Sequence, residues 1–169
     1  MTLPTPEAVS AVTIILAEYT DSRHAEDMLA LMDEYSRHPF GGGVPLPDRC
    51  RAELPSKLAS FPGAFSVLAY SDDEAVGLVN CFTGFSTFAC QPLVNIHDVI
   101  VSARVRGKGL CAEMLDFVAR EAKKQGCCKL TMEVLERNRT AQLAYRRAGF
   151  KPYTLDEEFG QAEFWQRYL

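Results

Sequence analysis

The sequence has no long hydrophobic run, and this shortage already narrows the class of protein. No apolar stretch approaches the roughly 20 residues that a membrane-spanning helix requires. The first seven residues, MTLPTPE, hold no basic segment followed by an apolar run, so we expect no signal peptide and a cytoplasmic protein. Intrinsic disorder is disfavoured, because 47% of the 169 residues are hydrophobic and only 24% are charged.

Metal-ligand and disulfide patterns are also scarce. The chain has three histidines, and its six cysteines form no C-x-x-C pair, so the ligand spacing of a structural zinc site is missing and we expect no metal. A secreted disulfide scaffold is usually a much shorter, less apolar chain. The cysteines are therefore interpreted as mostly reduced, buried small residues. They are Cys50, Cys81, Cys90, Cys111, Cys127 and Cys128.

The chain as a whole has only a small net charge, but one segment of it has a large excess of positive charge. The net charge is −4, which argues against a general nucleic-acid binder. Residues 101–151 nevertheless contain 12 basic and 5 acidic residues, a local charge of +7, which leaves −11 for the remainder. This segregation predicts one localised anionic partner and neither nucleic acid nor a membrane.

Hydrophobic periodicity predicts a mixed α/β fold, with a central, mixed but mostly antiparallel sheet flanked by helices. No linker, internal repeat or low-complexity tract divides the chain, so we expect a single domain over residues 1–169. Strands are predicted at residues 11–19, 64–70, 75–82, 93–101, 128–135, 150–155 and 162–169. Helices are predicted at residues 23–37, 49–60 (limited by Pro55), 110–125 and 138–148.

The strand at residues 93–101, LVNIHDVIV, has the strongest pattern. Regular alternation would place His97 and Asp98 on opposite faces of the sheet, so that at most one of them faces a substrate. The residues expected on the face of His97 are Asn95, Val99 and Val101, and those expected on the face of Asp98 are Ile96 and Ile100.

The segment that follows this strand, VSARVRGKGL at residues 101–110, has the chemistry of an anion-binding loop. It opens a helix, whose first N–H groups lack partners and whose dipole favours negative charge. Gly107 and Gly109 allow phosphates to approach the backbone, and Arg104, Arg106 and Lys108 add positive charge. The spacing matches neither a Walker loop, since no Ser or Thr follows the G-K pair suitably, nor the dinucleotide fingerprint, which would need glycine at Ala112.

The R-x-x-G-x-G pattern between a strand and a helix resembles the pyrophosphate loop of the GNAT family, the acetyl-CoA-dependent N-acetyltransferases. A second segment, NRTAQLAYRRAGF at residues 138–150, resembles the family signature N-x-x-A-x-x-x-Y-x-x-x-G-F. The resemblance covers roughly residues 93–150. GFSTF at residues 84–88, ahead of Ile96-His97-Asp98, is similar to members that acetylate small amines such as diamines, which carry an acidic pair where this chain has His97-Asp98.

The resemblance implies transfer of the acetyl group of acetyl-CoA to a primary amine of a small molecule, by direct attack and without a metal. Alternatives are a protein lysine or N-terminal acetyltransferase, and a non-catalytic CoA-binding sensor of the same fold. The implied CoA-binding residues are Val99, Ile100, Val101, Arg104, Arg106, Gly107, Lys108, Gly109, Leu110, Cys111, Ala112, Asn138, Ala141 and Tyr145.

Within this set, the resemblance implies that Tyr145 donates a proton to the departing CoA thiolate. A phenol with its ordinary pKa of about 10 is protonated at neutral pH and suits that role. The alternative for Tyr145 is a packing role between helix and sheet. The resemblance also implies that the backbones of Val99 and Val101 pair with the pantetheine amides, which requires the strands at residues 93–101 and 128–135 to separate.

The proton acceptor is left open by the sequence. His97 is a candidate general base, because imidazoles titrate near neutral pH, or it is a structural histidine. Asp98 is expected to bind the substrate ammonium, orient a neighbour or cap a backbone group. Glu133 is a minor candidate base, and a water relay without a dedicated base is a further alternative.

Asn138, Cys111 and the C-terminal segment each have a predicted role. Asn138 is either a CoA contact, a helix N-cap, or both. Cys111 lies in the first turn of a helix among basic residues, where a thiol pKa falls; it is either reactive or, as we favour, a small residue tolerated beside the cofactor. The apolar terminal segment at residues 164–169 is expected to pair across a two-fold axis in a homodimer.

Overall fold

The computed structural model describes residues 12–169. The predicted loose N-terminal arm and the first residue of the predicted first strand lie outside the described residues. Within residues 12–169, no helix is long and apolar enough to cross a membrane. In the same part of the chain, no group of three or more histidine, cysteine, aspartate or glutamate side chains is placed to hold a metal ion.

Five strands form one sheet in sequence order. They are β1 (Val12–Leu16), β2 (Ala64–Ser71), β3 (Glu74–Ser86), β4 (Gln91–Val101) and β5 (Leu130–Met132). The first four strands pair antiparallel to one another, and β5 pairs parallel to β4. The predicted mixed, mostly antiparallel sheet is therefore confirmed. Strands β3 and β4 are longer than predicted, because four of the eight residues of the aromatic-rich connection at 85–92 extend them.

Four α-helices cover the sheet. They are α1 (Ser22–Ser36), α2 (Asp48–Ser60), α3 (Leu110–Lys124) and α4 (Arg139–Arg147). The Asp21 side chain caps α1 by accepting from the His24 N–H at 3.0 Å. Pro55 lies inside α2 and does not end it, and the helix continues to Ser60 as its periodicity predicts.

Each face of the sheet has its own core. On one face, Leu110, Met114, Leu115 and Val118 of α3 pack against buried strand residues such as Val79, and Tyr145 of α4 joins them. On the other face, Met28 and Leu31 of α1 and Leu58 of α2 pack against Leu68, Leu78 and Ile100. Helices therefore flank both faces, and β4 contributes to both cores.

The two strands predicted after α4, at residues 150–155 and 162–169, are wrong. Neither segment forms a strand. A hydrogen bond from the Ala162 N–H to the Tyr153 carbonyl links them at 2.9 Å, and the Thr154 hydroxyl donates to carbonyls of the same loop. The neighbouring edge strand, β5, has only three residues, so it offers little ladder on which a terminal hairpin could form.

The expectation of mostly buried cysteines is also wrong. All six are free, but only Cys81 is buried, whereas Cys90 and Cys128 are exposed. Cys81 lies in the apolar centre of β3, while Cys90 ends the β3–β4 turn with a positive φ of 50°. Apolar neighbours in sequence therefore indicate burial for a central strand but not for turn and loop positions.

Candidate active site

A β-bulge in β4 shapes the centre of the site. Asn80 of β3 lies opposite Asp98, and the next residue of β3, Cys81, lies opposite Ile96, so His97 is an extra residue in β4. Before the bulge, Val94 and Ile96 face the α3 core; after it, Val99 faces that same core and Ile100 faces α1 and α2. The bulge therefore changes the alternation of the strand at one position.

The prediction that His97 and Asp98 lie on opposite faces is consequently wrong. The His97 ring meets Phe82 edge to face at 5.6 Å, and Phe82 packs against the α1/α2 core. Asp98 receives a hydrogen bond from Asn80, whose side chain also approaches Met32 of α1. Both candidate groups thus face the α1/α2 side, with His97 exposed and Asp98 half-buried.

A chain of hydrogen bonds holds the Asp98 carboxylate from behind. The Asn80 amide donates to Asp98 Oδ2 at 2.9 Å, and Asn80 Oδ1 accepts from the Ser66 hydroxyl at 2.7 Å. The Ser66 hydroxyl in turn lies 2.9 Å from that of Tyr19. Asn80 and Ser66 are 3% and 1% exposed, so this polar relay is buried and its partners satisfy one another.

Tyr145 lies on the opposite face of the sheet. Its ring packs against the α3 core and lies 6.4 Å from that of Phe150. Burial raises the pKa of its hydroxyl above the ordinary value, and the charges of Cys111, Tyr35 and Asp98 raise it further. The phenol therefore keeps its proton at neutral pH.

The far half of β4 is open on the side of β5. The pairing of the two strands begins at Val94 and Leu130 and ends at Ile96 and Met132. The Ser102 N–H donates to Val76 of β3, and alternation along a strand then turns the backbone groups of Val99 and Val101 away from β3. Strands β4 and β5 therefore separate beside the bulge, as an added, strand-like ligand would require.

The predicted anion-binding loop directly follows this open edge. A short 3₁₀ turn, Ala103–Val105, leads to Gly107 and Gly109, whose φ angles are +83° and +90°. Gly109 is the N-cap of α3 and no side chain caps the helix there. A Cβ atom at either glycine would meet nothing within 4 Å, so the space above the loop is open. Leu110 turns inward to the core, and the Ala112 N–H donates to Gly109.

The three basic residues of the loop have different surroundings. Arg104 forms an ion pair with Glu74 and is turned back toward β3. The Arg106 Nε donates to the Val101 carbonyl at 2.9 Å, at the open edge of β4. Lys108 is exposed between the two glycines and, within the described residues, has no recorded ion-pair partner. Lys108 and Arg106 are thus better placed than Arg104 to meet a ligand.

Asn138 serves as the N-cap of α4. Its Oδ1 accepts from the Ala141 N–H at 3.2 Å, so the capping alternative of the sequence analysis is present. The cap uses Asn138 Oδ1 as acceptor, so the Asn138 Nδ2 group is left to donate to another partner. Asn138 and Ala141 are half-buried, where the loop after β5 enters α4.

Cys111 does not have the environment of a reactive thiol. Burial raises its pKa to about 11, opposite to the lowering expected from its place in the helix. The side chain packs against the α3 core beside Tyr145 rather than opening to the basic loop. This favours the interpretation of Cys111 as a small packed residue.

Several residues of the site had no motif to reveal them. The only sign of Asn80 in the sequence is that it is a single amide inside the apolar run AVGLVNCF. Tyr35 of α1 belongs to none of the motifs, yet burial raises its pKa and the charge of Asp98 raises it further. The minor candidate base Glu133 accepts instead from the Asn95 amide at 3.2 Å.

An open strand edge and an uncapped glycine loop at a helix N-terminus thus adjoin a half-buried acid and a half-buried phenol. The model of the acetyltransferase (GNAT) family matches residues 23–150. The chain therefore belongs to the GNAT family, and its enzyme class is that of the N-acetyltransferases.

Solved structures with the same fold cover nearly the whole chain. A ribosomal-protein-alanine N-acetyltransferase from Brucella melitensis biovar Abortus 2308 is 19% identical, with a TM-score of 0.64 over 94% of this chain and 98% of that one. A probable acetyltransferase is 20% identical, with a TM-score of 0.75 over 93% and 99%. The aminoglycoside N-acetyltransferase AAC(6')-Iy, solved with CoA, is 16% identical, with a TM-score of 0.74 over 98% and 100%. At these identities the likeness establishes the fold alone.

Proposed function

We propose that the protein transfers the acetyl group of acetyl-CoA to a primary amine of a small molecule. The observation that carries the proposal is the open edge of β4 at Val99 and Val101, which leads directly into the uncapped glycine loop. The pantetheine amides would pair with this edge like an added strand. The pyrophosphate would then meet the N–H groups at the start of α3, with Lys108 and Arg106 beside it.

Acetyl-CoA fits the residues of this loop. Gly107 and Gly109 adopt backbone conformations that other residues rarely take, and no atom of residues 12–169 lies within 4 Å of a Cβ built on either. The local excess of positive charge in residues 101–151 matches a ligand that carries several phosphates. Asn138 would contact the pantetheine arm through its amide Nδ2, since its Oδ1 caps α4.

Direct attack would use Tyr145 and Asp98 on the two sides of the thioester. The neutral amine nitrogen forms a bond to the carbonyl carbon, the carbon–sulfur bond breaks, and the leaving thiolate takes the proton of Tyr145. Asp98 binds the ammonium form of the acceptor beforehand, held in place by Asn80. The exposed His97, on the same face, accepts the amine proton and passes it to water, from which the phenol regains its own.

Calorimetric titration with CoA tests the first half of this proposal, which is CoA binding. We expect one CoA bound per chain, and no detectable binding would overturn the assignment. Acetylation of a panel of free amines, compared by mass spectrometry with a peptide panel, tests the second half. Transfer to lysine side chains or peptide N-termini alone would support the protein-acetylating alternative, whereas CoA binding without any transfer would support the sensor.

His97→Gln and Asp98→Asn separate the proposed roles of the two groups. His97→Gln should lower kcat by about 10²-fold, since it deletes a general base. Asp98→Asn should chiefly raise KM for the amine. A fall in kcat in Asp98→Asn, with the higher KM for the amine in His97→Gln, would exchange the assignments.

We also propose that the chain is one cytoplasmic domain that forms a homodimer through its C-terminal segment. Phe164, Trp165, Tyr168 and Leu169 are between 73% and 116% exposed. An apolar patch of this kind marks an interaction surface on a single chain. A second copy of the chain, whose C-terminal segment presents the same apolar side chains, is the partner that we propose.

A further inference from the structure

A groove of about 340 Å³ lies on the α1/α2 side of the sheet, next to the bulge. Its lining residues come from the end of α2 and from the β3–β4 hairpin. They are Lys57, Leu58, Phe61, Phe82 and His97. Its volume is in the range of small-molecule sites, and its walls are mostly apolar.

Three rings form a continuous row along this groove. Phe61 and Phe82 meet edge to face with centroids 5.4 Å apart and planes at 81°, and Phe82 meets His97 in the same way at 5.6 Å. Phe61 nevertheless leaves 57% of its surface exposed. An exposed aromatic side chain that extends an apolar wall provides a surface on which a flat apolar group gains contact.

The groove opens beside the position of the acceptor nitrogen. His97 lines it, and the bulge places Asp98, the proposed ammonium site, on the same face. A ligand whose ammonium meets Asp98 would therefore extend its remaining atoms along Phe82 toward Phe61.

The charge of the groove excludes a second class of acceptor. Among residues 12–169, Lys57 is the only charged residue that lines it, and it is exposed. A second ammonium group on the ligand would lie near this lysine and be repelled, whereas an apolar group would not. Polyamines and aminoglycosides carry several such cations.

We propose that the acceptor is a primary monoamine that carries an aromatic or bulky apolar group, seated against Phe61, Phe82 and His97. This inference rests on the proposed acetyl transfer and specifies its acceptor class. The specificity-determining residues are Phe61, through contact, and Lys57, through charge.

Steady-state kinetics with three amines test the acceptor class. The probes are 2-phenylethylamine, ethylamine and spermidine, with acetylated product measured by mass spectrometry. We expect kcat/KM for 2-phenylethylamine to exceed that for ethylamine and for spermidine by about tenfold or more, the discrimination that an apolar pocket supplies. A preference for spermidine, or equal use of all three, would overturn the inference while leaving acetyl transfer established.

Two variants with matched controls test the residues. Phe61→Ala should lower kcat/KM for 2-phenylethylamine about tenfold, mostly through KM, and leave ethylamine within about twofold. Phe88→Ala is the control, because Phe88 is fully exposed in the β3–β4 turn and does not line the groove. Lys57→Glu should improve the use of spermidine, whereas Lys123→Glu, at the end of α3, should not.

The remaining outcomes distinguish failure of the proposed acceptor class from failure of the proposed acetyl transfer. An equal loss for all amines in Phe61→Ala would contradict a contact with the apolar group. Absence of transfer to every amine, despite CoA binding, would overturn the proposed function. In that case NMR detection of 2-phenylethylamine binding, lost in Phe61→Ala and kept in Phe88→Ala, would still support the groove, and no binding would reject it.

Discussion

The Tyr145 hydroxyl keeps its proton because burial, more than any neighbouring charge, raises its pKa. A phenol of this kind does not titrate in the range where an imidazole or carboxylate does. It is therefore available as a hydrogen-bond and proton donor to a leaving thiolate at every pH at which the amine can react.

Replacing Tyr145 by Phe removes that proton and little of the packing. We expect kcat to fall by about 10²-fold, with KM for acetyl-CoA nearly unchanged and the shape of the pH profile below pH ~9 preserved. Tyr153→Phe is the control, since Tyr153 is 59% exposed and lies after α4. Unchanged turnover of Tyr145→Phe at all pH values would show that the phenol is not the donor.

Asn80 is a positioning residue for Asp98. Asn80→Ala would leave the Asp98 carboxylate and the Ser66 hydroxyl without their shared partner, so we expect a loss of about 1–3 kcal/mol in the free energy of unfolding and a higher KM for the amine. Urea denaturation and amine kinetics measure the two effects.

The control for Asn80 is Asn95→Ala on the neighbouring strand. The Asn95 amide donates to Thr131 and Glu133 and not to Asp98. The proposed positioning role would be refuted by a loss of stability in Asn80→Ala with an unchanged KM for the amine.

At the scale of elements, the glycine loop and the first turn of α3 form the proposed anion-binding unit. Gly109→Ala would force an L side chain into a positive φ of 90° and place a methyl group in the space proposed for phosphate. We expect a drop of about 1–2 kcal/mol in stability and a CoA affinity weakened by about tenfold or more.

Gly126 offers a matched control at the other end of α3. It has a φ of +74°, and a Cβ there meets nothing within 4 Å, so Gly126→Ala carries the same backbone strain away from the loop. Thermal unfolding and CoA titration of both variants separate strain from binding. A comparable loss of CoA affinity in Gly126→Ala would mean that the loop has no special role.

Some elements of the fold can be predicted from the sequence and others cannot. The sheet, the helices and the loop follow from periodicity, helix caps and glycine positions, which act locally. The bulge at His97 does not, because an extra residue is defined by the register with β3 and not by any residue type. The C-terminal segments alternate like strands, but a strand also needs a partner ladder, and β5 is too short to provide one.

At the scale of the whole molecule, the C-terminal aromatic residues lie outside both cores of the single chain. If a second copy covers them, light scattering should give a dimer at micromolar concentrations. Exchange of Trp165 and Leu169 for Ser should yield a monomer, because burial of each such side chain contributes about 1.5–3 kcal/mol.

Phe88→Ser is the control for this exchange, since Phe88 is exposed in a different part of the molecule. A wild-type protein that stays monomeric at all concentrations would contradict the homodimer. A dimer that survives the exchange would place the interface elsewhere.

The extra residue in β4 has a consequence for how the sheet tolerates change in length. Without His97, Ile96 and Asp98 would become neighbours in a regular strand, and every side chain from Val94 to Val101 would keep its present face. His97 is thus a position of β4 whose removal would leave the register of both cores intact. The sheet holds a spare residue at the point where β4 separates from β5.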